Sequence, residues 1–249
     1  MQDKPVALVT GANKGIGRQI AKDLTHHGFA VLVGSRNLEN GEEAAKSIGD
    51  DAYALQLDVT DAASIAATAE HIRKEFGRLD VLVNNAGISN VAPPGTPFEE
   101  IIKSNSLATA SLDDVRKVWE TNVFGVIAVT QAMLPLLYES PAARIVNIGS
   151  DGGSLTLNSN PDNPHRAMFG NYSASKSAMH AVTLVFAVAL ESTGIKVNTA
   201  TPGFTATDLN GFNGTRSVEE GAREPVRLAL LGADGPTGTF SDENGPVPW

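Results

Sequence analysis

The sequence of 249 residues contains no cysteine. This excludes a disulfide framework, a thiolate nucleophile and cysteine-bound metal. Aromatic residues make up only 6%, and the 19 lysines and arginines are outnumbered by 28 aspartates and glutamates, so the net charge is −9. Nucleic acids and anionic membranes attract basic surfaces, and we therefore expect neither as a partner. A small molecule is the expected partner.

Long apolar runs are absent as well. No run approaches the ~18 residues of a membrane span, and a strand-like segment begins so early that no room is left for a signal peptide. We therefore expect a cytoplasmic protein without a membrane segment. We also expect no metal site, because no ligand-like grouping is visible among the five histidines, which are His26, His27, His71, His165 and His180.

Two kinds of segment alternate along the chain. Short β-branched runs are followed by longer stretches with apolar residues at helical spacing. This pattern predicts one α/β domain over residues 1–249, a doubly wound Rossmann-type fold with about seven parallel strands and helices on both faces. The predicted strands are 6–10, 30–33, 52–57, 79–83, 144–148 and 195–199. The predicted helices include 15–27, 42–48, 62–76, 115–137 and 173–191.

Three irregular stretches, 89–111, 151–171 and 204–216, each follow a predicted strand. In a doubly wound sheet, ligands bind outside the carboxyl ends of the strands, so these stretches should meet there as substrate loops. Their apolar residues predict a largely apolar substrate pocket. These residues are Val91, Pro94, Phe98, Leu155, Leu157, Met168, Phe169, Phe204 and Phe212.

A glycine-rich turn follows the first predicted strand and opens a helix. Its glycines are spaced G-x-x-x-G-x-G, which permits a tight turn and lets a pyrophosphate approach the free N–H groups of the helix N-terminus. A plain strand-to-helix turn is the alternative. The residues predicted to contact a dinucleotide here are Gly11, Asn13, Lys14, Gly15, Ile16 and Gly17.

The residues after the second predicted strand bear on cofactor choice. NAD-binding folds carry an acidic residue there for the ribose hydroxyls. Here Arg36 and Asn37 occupy the position, and no carboxylate comes before Glu39. Arg36 can pair with a 2′-phosphate, and Lys14 could reach it from the other side. This favours NADP(H) over NAD(H), unless both cations are simply solvated.

The next two strand ends carry candidate adenosine contacts. Asp58 and Val59 follow the third predicted strand, and Asn85, Ala86 and Gly87 follow the fourth. An aspartate can accept from the adenine amino group, and a small turn lets adenosine lie close to the backbone. Alternatively, Asp58 caps the next helix and the second motif is an ordinary turn.

A tyrosine and a lysine stand four residues apart at the start of a predicted helix. Tyr172 and Lys176 should therefore share one helix face. A nearby ammonium would lower the phenol pKa and allow Tyr172 to exchange a proton with a carbonyl oxygen. Ser150 lies just past the fifth strand, where it could stabilise the developing alkoxide. A surface tyrosine above a lysine stem is the alternative.

Together these motifs resemble the classical short-chain dehydrogenase/reductase family, in its carbonyl-reductase-like branch. The segments TGANKGIG, DVT, NNAG, NIGS, YSASK and PGFTAT occur in the family's order. The resemblance implies a sheet of order 3-2-1-4-5-6-7 and a catalytic tetrad of Asn122, Ser150, Tyr172 and Lys176. It also implies that Tyr172 and Lys176 contact the nicotinamide half of the cofactor, together with Pro202, Gly203, Thr205 and Thr207.

The expected activity is NADPH-dependent reduction of a ketone or aldehyde, with Tyr172 as general acid. Two alternatives remain open: an alcohol or polyol dehydrogenase working oxidatively, and a non-catalytic NADP-binding redox sensor. Family members form dimers or tetramers through two long helices, so a homo-oligomer is also expected, although the 21 residues between Ser150 and Tyr172 could cover that surface. His180 shares the helix face of Tyr172 and is expected to pack rather than to react.

Overall fold

Continuous apolar segments at the predicted strand positions form one buried sheet. A computed structural model describes residues 4–93 and 96–249 of the chain. The eight strands lie in the order β3-β2-β1-β4-β5-β6-β7-β8. They are β1 (Val6–Val9), β2 (Ala30–Ser35), β3 (Ala52–Gln56), β4 (Val81–Asn84), β5 (Arg144–Ile148), β6 (Lys196–Ala200), β7 (Phe240–Asp242) and β8 (Gly245–Pro246).

The helices cover both faces of the sheet. They are α1 (Gly15–His26), α2 (Leu38–Ile48), α3 (Ala62–Glu75), α4 (Phe98–Asn105), α5 (Leu112–Trp119), α6 (Gly125–Leu137), α7 (Leu155–Ser159), α8 (Asn171–Ala189) and α9 (Val218–Ala229). The doubly wound α/β prediction and the order of the first seven strands are confirmed. The strand β8 was not predicted, and it pairs antiparallel with β7.

Side chains of the central strands alternate between two apolar layers. Leu8, Leu82 and Ile145 belong to the layer that includes α3, α6 and α8. Val9 and Val83 belong to the opposite layer, with α1, α2 and α9. Because both faces are covered, every position of these strands favours an apolar residue, which explains their unbroken apolar sequence.

Three predicted segments have more structure than expected. The predicted helix 115–137 is part of a continuous helical run in which a π-helical segment, Glu120–Phe124, separates α5 from α6. The predicted loop 89–111 contains α4, which begins with two glutamates in its first turn. The predicted loop 151–171 contains α7, whose N-terminus is capped by Ser154.

Within the described ranges, one helical run, Leu112–Leu137, is long and apolar enough to cross a membrane by length and composition alone. Half of its most apolar window is buried inside the fold. Val129, Met133 and Leu136 belong to the core layer of α3 and α8. This part of the run therefore packs inside the fold.

Asp80 ties three strands together at the edge opposite the predicted site. Its carboxylate accepts hydrogen bonds from the Val6 N–H (2.7 Å), the Arg78 guanidinium (3.0 Å) and the Ser140 hydroxyl (2.6 Å). Its own carbonyl accepts from the Arg144 N–H at 2.9 Å. The side chain is almost fully buried, and its bond with the Val6 N–H is buried as well.

Replacing Asp80 by alanine should lower the free energy of unfolding by about 2–4 kcal/mol, because it leaves buried donors without an acceptor. Asp113→Ala is the matched control, since the Asp113 side chain is 81% exposed and its ion pair with Arg116 should contribute less than about 1 kcal/mol. Urea unfolding of both variants measures the difference. Equal losses would contradict the assigned role of Asp80.

Candidate active site at the carboxyl edge of the sheet

The glycine-rich turn between β1 and α1 leaves room for an anion. Gly15 starts α1 with φ +57°, a left-handed conformation that favours glycine. A Cβ atom on Gly17 would lie 2.2 Å from Nδ2 of Asn85, so no larger residue fits. Within the described part of the chain, no side chain caps the N-terminus of α1. Its first N–H groups are therefore available to a pyrophosphate.

The NNAG turn after β4 is fastened to this glycine turn. The Thr10 hydroxyl accepts from the N–H groups of Asn85 and Ala86, both at 3.0 Å. The Asn85 amide donates to the carbonyls of Thr10 (2.9 Å) and Gly11 (3.1 Å). The side chain of Asn85 is thus committed to the frame of the site. Sequence reasoning missed Thr10, whose only signal was a threonine directly before the first glycine.

Arg36 follows β2 and is exposed. It lines a cavity of about 540 Å³ together with Asp58, a half-buried residue that follows the neighbouring strand β3. Asn37 accepts from the Asn40 N–H at 2.9 Å and caps α2, so its side chain is used within the fold. The structure therefore brings together Arg36 and Asp58 of the predicted adenosine site.

Lys14 points in another direction. Its ammonium forms an ion pair with Asp208, which lies in the segment after β6. The sequence prediction placed Lys14 beside Arg36 at a common phosphate. In this structure the lysine instead links the glycine turn to the third substrate loop.

Neighbouring residues in the segment after β3 have different structural roles. Asp58 accepts from the N–H (2.9 Å) and hydroxyl (2.7 Å) of Thr60. The cap of α3 is Asp61, so the alternative reading of Asp58 as the helix cap is wrong. Val59 is buried, and a Cβ on Gly125 would lie 3.0 Å from its Cγ2 atom. Val59 therefore contributes a core side chain.

Asn122 lies in the π-helical segment and is almost fully buried. Its amide exchanges two hydrogen bonds of 2.9 Å with the backbone of Ile88 and donates to the Ser175 hydroxyl at 3.0 Å. π-helical turns often occur at functional sites. Here the turn directs Asn122 so that it joins the chain after β4 to the helix that carries Tyr172.

The remaining three predicted catalytic residues meet beyond β5. The Ser150 hydroxyl lies beside the Tyr172 phenol and accepts from the Gly152 N–H at 3.1 Å. The Lys176 ammonium donates to the carbonyl of Ile148 at 2.7 Å and lies 5.8 Å from the centroid of the Tyr172 ring. A Cβ on Gly87 would lie 3.6 Å from the same ammonium. The predicted tetrad and the NNAG turn therefore form one cluster.

The acidities of this cluster differ from the sequence prediction. Burial raises the pKa of Tyr172 to about 12; the neighbouring Ser150 hydroxyl opposes this rise and the carboxylate of Asp151 adds to it. Burial also lowers the pKa of Lys176 to about 8. The predicted lowering of the tyrosine pKa by Lys176 is therefore wrong. Desolvation of the phenolate outweighs the attraction of an ammonium that is directed towards a backbone carbonyl.

The segment after β6 folds back towards the glycine turn. Thr205 is buried and its hydroxyl donates to the Pro202 carbonyl at 3.0 Å. The methyl group of Thr207 lies 3.5 Å from the position of a Cβ on Gly15. Gly203 has φ +67°, and the same segment therefore turns sharply between Pro202 and Thr205. Of these predicted contacts, Thr207 comes nearest to the phosphate turn.

The substrate loops present apolar side chains to solvent. Of the predicted pocket residues, the exposed ones are Leu155, Leu157, Met168, Phe169, Phe204 and Phe212. Val91 is half-buried, whereas Pro94 and the side chain of Phe98 lie outside the described residues. Across residues 4–93 and 96–249, no group of three or more metal-binding side chains is found.

Comparison with known proteins identifies the family. Residues 5–216 match the family model described as short chain dehydrogenase. The chain belongs to this family. A relative, (-)-isopiperitenone reductase of Mentha piperita, is 34% identical over 94% of this chain and 95% of its own length. The motifs described above all lie within the residues that match this family model.

Solved structures agree with this assignment. Salutaridine reductase of Papaver somniferum superposes with a TM-score of 0.81 at 30% identity, covering 95% of this chain and 99% of the other. A 3-ketoacyl-(acyl-carrier-protein) reductase of Brucella melitensis, complexed with NADH, has a TM-score of 0.80 at 26% identity, covering 97% of each chain. The fold and oxidoreductase family of this short-chain dehydrogenase are therefore established.

The buried charge of Lys176 should cost stability. Because its pKa is about 8 in the folded chain and 10.5 unperturbed, the penalty is fully present below pH 8 and shrinks as pH rises towards 10.5. Lys176→Met should therefore raise the free energy of unfolding by about 1–3 kcal/mol at pH 7, and by less at pH 9.5. Urea unfolding at both pH values measures this.

Lys74→Met is the matched control, because the Lys74 side chain is 68% exposed. For this variant, the free energy of unfolding should show no increase at pH 7 that is lost at pH 9.5. A Lys176→Met variant less stable than the parent at pH 7 would refute the desolvation argument.

Proposed function

We propose that this short-chain dehydrogenase reduces a ketone or aldehyde to an alcohol with NADPH, using Tyr172 as general acid. The observation that carries the proposal is the cluster beyond β5, where the Ser150 hydroxyl lies beside the Tyr172 phenol and the Lys176 ammonium lies 5.8 Å from the centroid of the same ring. Since burial raises its pKa to about 12, the phenol carries its proton at neutral pH. Two relatives named as reductases support the direction of the reaction.

The residues present fit a nicotinamide dinucleotide. The uncapped N-terminus of α1 and the glycines facing Asn85 would hold the pyrophosphate, and the cavity at Arg36 and Asp58 would hold the adenosine end. The bound cofactor would supply the hydride. Lys176, close to Gly87 and buried, would hold the nicotinamide ribose.

The protein side of the reaction then follows from acid–base chemistry. The Tyr172 phenol gives its proton to the carbonyl oxygen of the substrate as that oxygen gains charge. The Ser150 hydroxyl donates a hydrogen bond to the same oxygen and stabilises the developing alkoxide. Lys176, with a pKa of about 8, is close enough to neutral pH to return a proton to the tyrosinate. Asn122 fixes the position of the Ile88 backbone relative to α8.

Two observations favour the reductase over the alternatives. The relatives named as reductases support reduction over an alcohol dehydrogenase that works oxidatively. A non-catalytic sensor would not need Ser150, Tyr172 and Lys176 brought together in one cluster. Both alternatives are therefore weaker than the reductase.

Cofactor choice rests on Arg36. Lys14 is engaged by Asp208, whereas no ion pair of Arg36 occurs among the described residues. Arg36 is thus the cation available for a 2′-phosphate. Since a relative of known structure binds NADH, the family alone does not decide the question.

We expect NADPH to be preferred over NADH by roughly 10- to 100-fold in kcat/KM, as a charge-assisted contact is worth ~1.5–3 kcal/mol. Arg36→Asp should abolish or reverse the preference. Arg116→Asp, which makes the same charge change at an exposed site of α5, should leave it unchanged. Steady-state kinetics with both cofactors measure this. Equal efficiencies in the parent enzyme would refute the assignment.

The general acid can be tested by Tyr172→Phe. This variant keeps the ring but removes the proton donor, so kcat for carbonyl reduction should fall by ~10²–10⁴-fold with little change in NADPH affinity. Tyr138→Phe is the matched control, because that phenol is on an exposed residue at the end of α6. A Tyr172→Phe enzyme that keeps most of its activity would mean that the proton has another source.

Substrate class and assembly extend the proposal. The exposed apolar residues of the three loops support a largely apolar carbonyl substrate. Val185 and Val188 are 66% and 72% exposed on α8, which supports packing of that helix against a second copy. Assembly as a homo-oligomer and a cytoplasmic location both stay predictions.

A further inference from the structure

His180 is a buried histidine that the proposed reaction does not use. It lies one helical turn beyond Lys176 on α8 and is 3% exposed. Its Nε2 atom accepts a long hydrogen bond, 3.4 Å, from the backbone N–H of Ser150. Its Nδ1 atom is buried and has no hydrogen-bond partner in the parts of the chain that the structure describes. The imidazole therefore contacts the turn that carries Ser150.

Two glycines of the segment NIGSDGG make the space for this ring. A Cβ on Gly149 would lie 2.7 Å from the His180 Nε2 atom. A Cβ on Gly153 would lie 2.9 Å from the Cε1 atom of the same ring. The imidazole thus fills a slot between the two glycines that flank the serine turn.

The other backbone groups of this turn are held by different partners. Gly149 donates to the Ala200 carbonyl at 2.8 Å, and Asp151 donates to the Thr201 hydroxyl at 3.2 Å. The carbonyl of Ser150 accepts from the Gly153 N–H at 2.9 Å. The amide of Ser150 is the group that His180 holds, and it lies on the residue whose hydroxyl contacts Tyr172.

Two aromatic rings pack against the imidazole of His180. Its ring centroid lies 4.4 Å from that of Phe240 and 5.8 Å from that of Trp249. The carbonyl of Trp249 accepts from the Thr156 N–H at 2.8 Å, which ties the same segment to the loop after Ser150. The imidazole is therefore clamped between the serine turn and these aromatic rings.

We propose that His180 is a positioning residue, whose neutral imidazole accepts from the Ser150 amide and so fixes the serine hydroxyl against Tyr172. The inference rests on the proposed role of Ser150. It requires the tautomer with its proton on Nδ1, because Nε2 acts as the acceptor. Burial, helped by the charge of Lys176, lowers the pKa of His180 to about 3, which keeps the ring neutral throughout the working pH range.

The acceptor can be removed or restored by substitution. His180→Leu and His180→Met fill the slot without an acceptor and should lower kcat by roughly 3- to 10-fold, the value of one hydrogen bond, at unchanged KM for NADPH. His180→Gln places an amide oxygen near the position of Nε2 and should recover most of the loss. Met179→Leu, a buried neighbour on the same helix, is the control and should leave kcat unchanged.

A double-mutant cycle separates positioning of Ser150 from a general effect on α8. In a Ser150→Ala background, His180→Leu should change kcat by less than about twofold, since the hydroxyl that it positions is absent. A loss as large as in the parent background would overturn the proposal. So would a His180→Leu enzyme with full activity while Ser150→Ala is impaired. Full activity of Ser150→Ala would instead contradict the proposed function itself.

A spectroscopic measurement on the unaltered protein tests the bond even if the apolar variants do not fold. ¹⁵N spectra of the imidazole groups should show His180 neutral, protonated on Nδ1 and unchanged between pH 8 and pH 5. Free imidazole added to the same samples serves as the reference for protonation across this range. A His180 ring protonated on Nε2, or charged at pH 6, would overturn the proposal.

Discussion

The buried ammonium of Lys176 governs the chemistry of the carboxyl edge of the sheet. It is 6% exposed and is held by the backbone carbonyl that ends β5. Its charge also helps keep His180 neutral. A lysine in this environment costs folding free energy, and its retention is understandable where function requires a cation that can lose its proton near neutral pH. Under the proposed function, stability and activity therefore conflict at this residue.

The structure around this charge is held mostly by hydrogen bonds between polar side chains and the backbone. Thr10 and Asn85 join the turns after β1 and β4, and Asn122 joins the chain after β4 to α8. These polar side chains bind carbonyl and N–H groups that regular secondary structure leaves unpaired at strand ends. The catalytic groups can then be few, because the scaffold residues fix their positions.

The sheet order could be predicted from the family resemblance, and the clustering of Ser150, Tyr172 and Lys176 from the sequence pattern. Strand ends of a parallel sheet gather at one edge, and residues four apart on a helix share a face. The pKa of the Tyr172 phenol could not be predicted, since it depends on how far burial outweighs a neighbouring charge. Nor could the partner of Lys14, because the pairing with Asp208 depends on how the segment after β6 folds back over the glycine turn.

The π-helical segment Glu120–Phe124 has a consequence for how such a site can arise. A π-turn contains one more residue than the α-helical turn it replaces. Removing that residue would rotate the following helix by about 100° relative to the preceding one, given 3.6 residues per turn. Asn122 would then lose its alignment with either Ile88 or the core face of α6. The π-helical turn thus allows one helical run to present a polar side chain to the site while the apolar face downstream stays in the core.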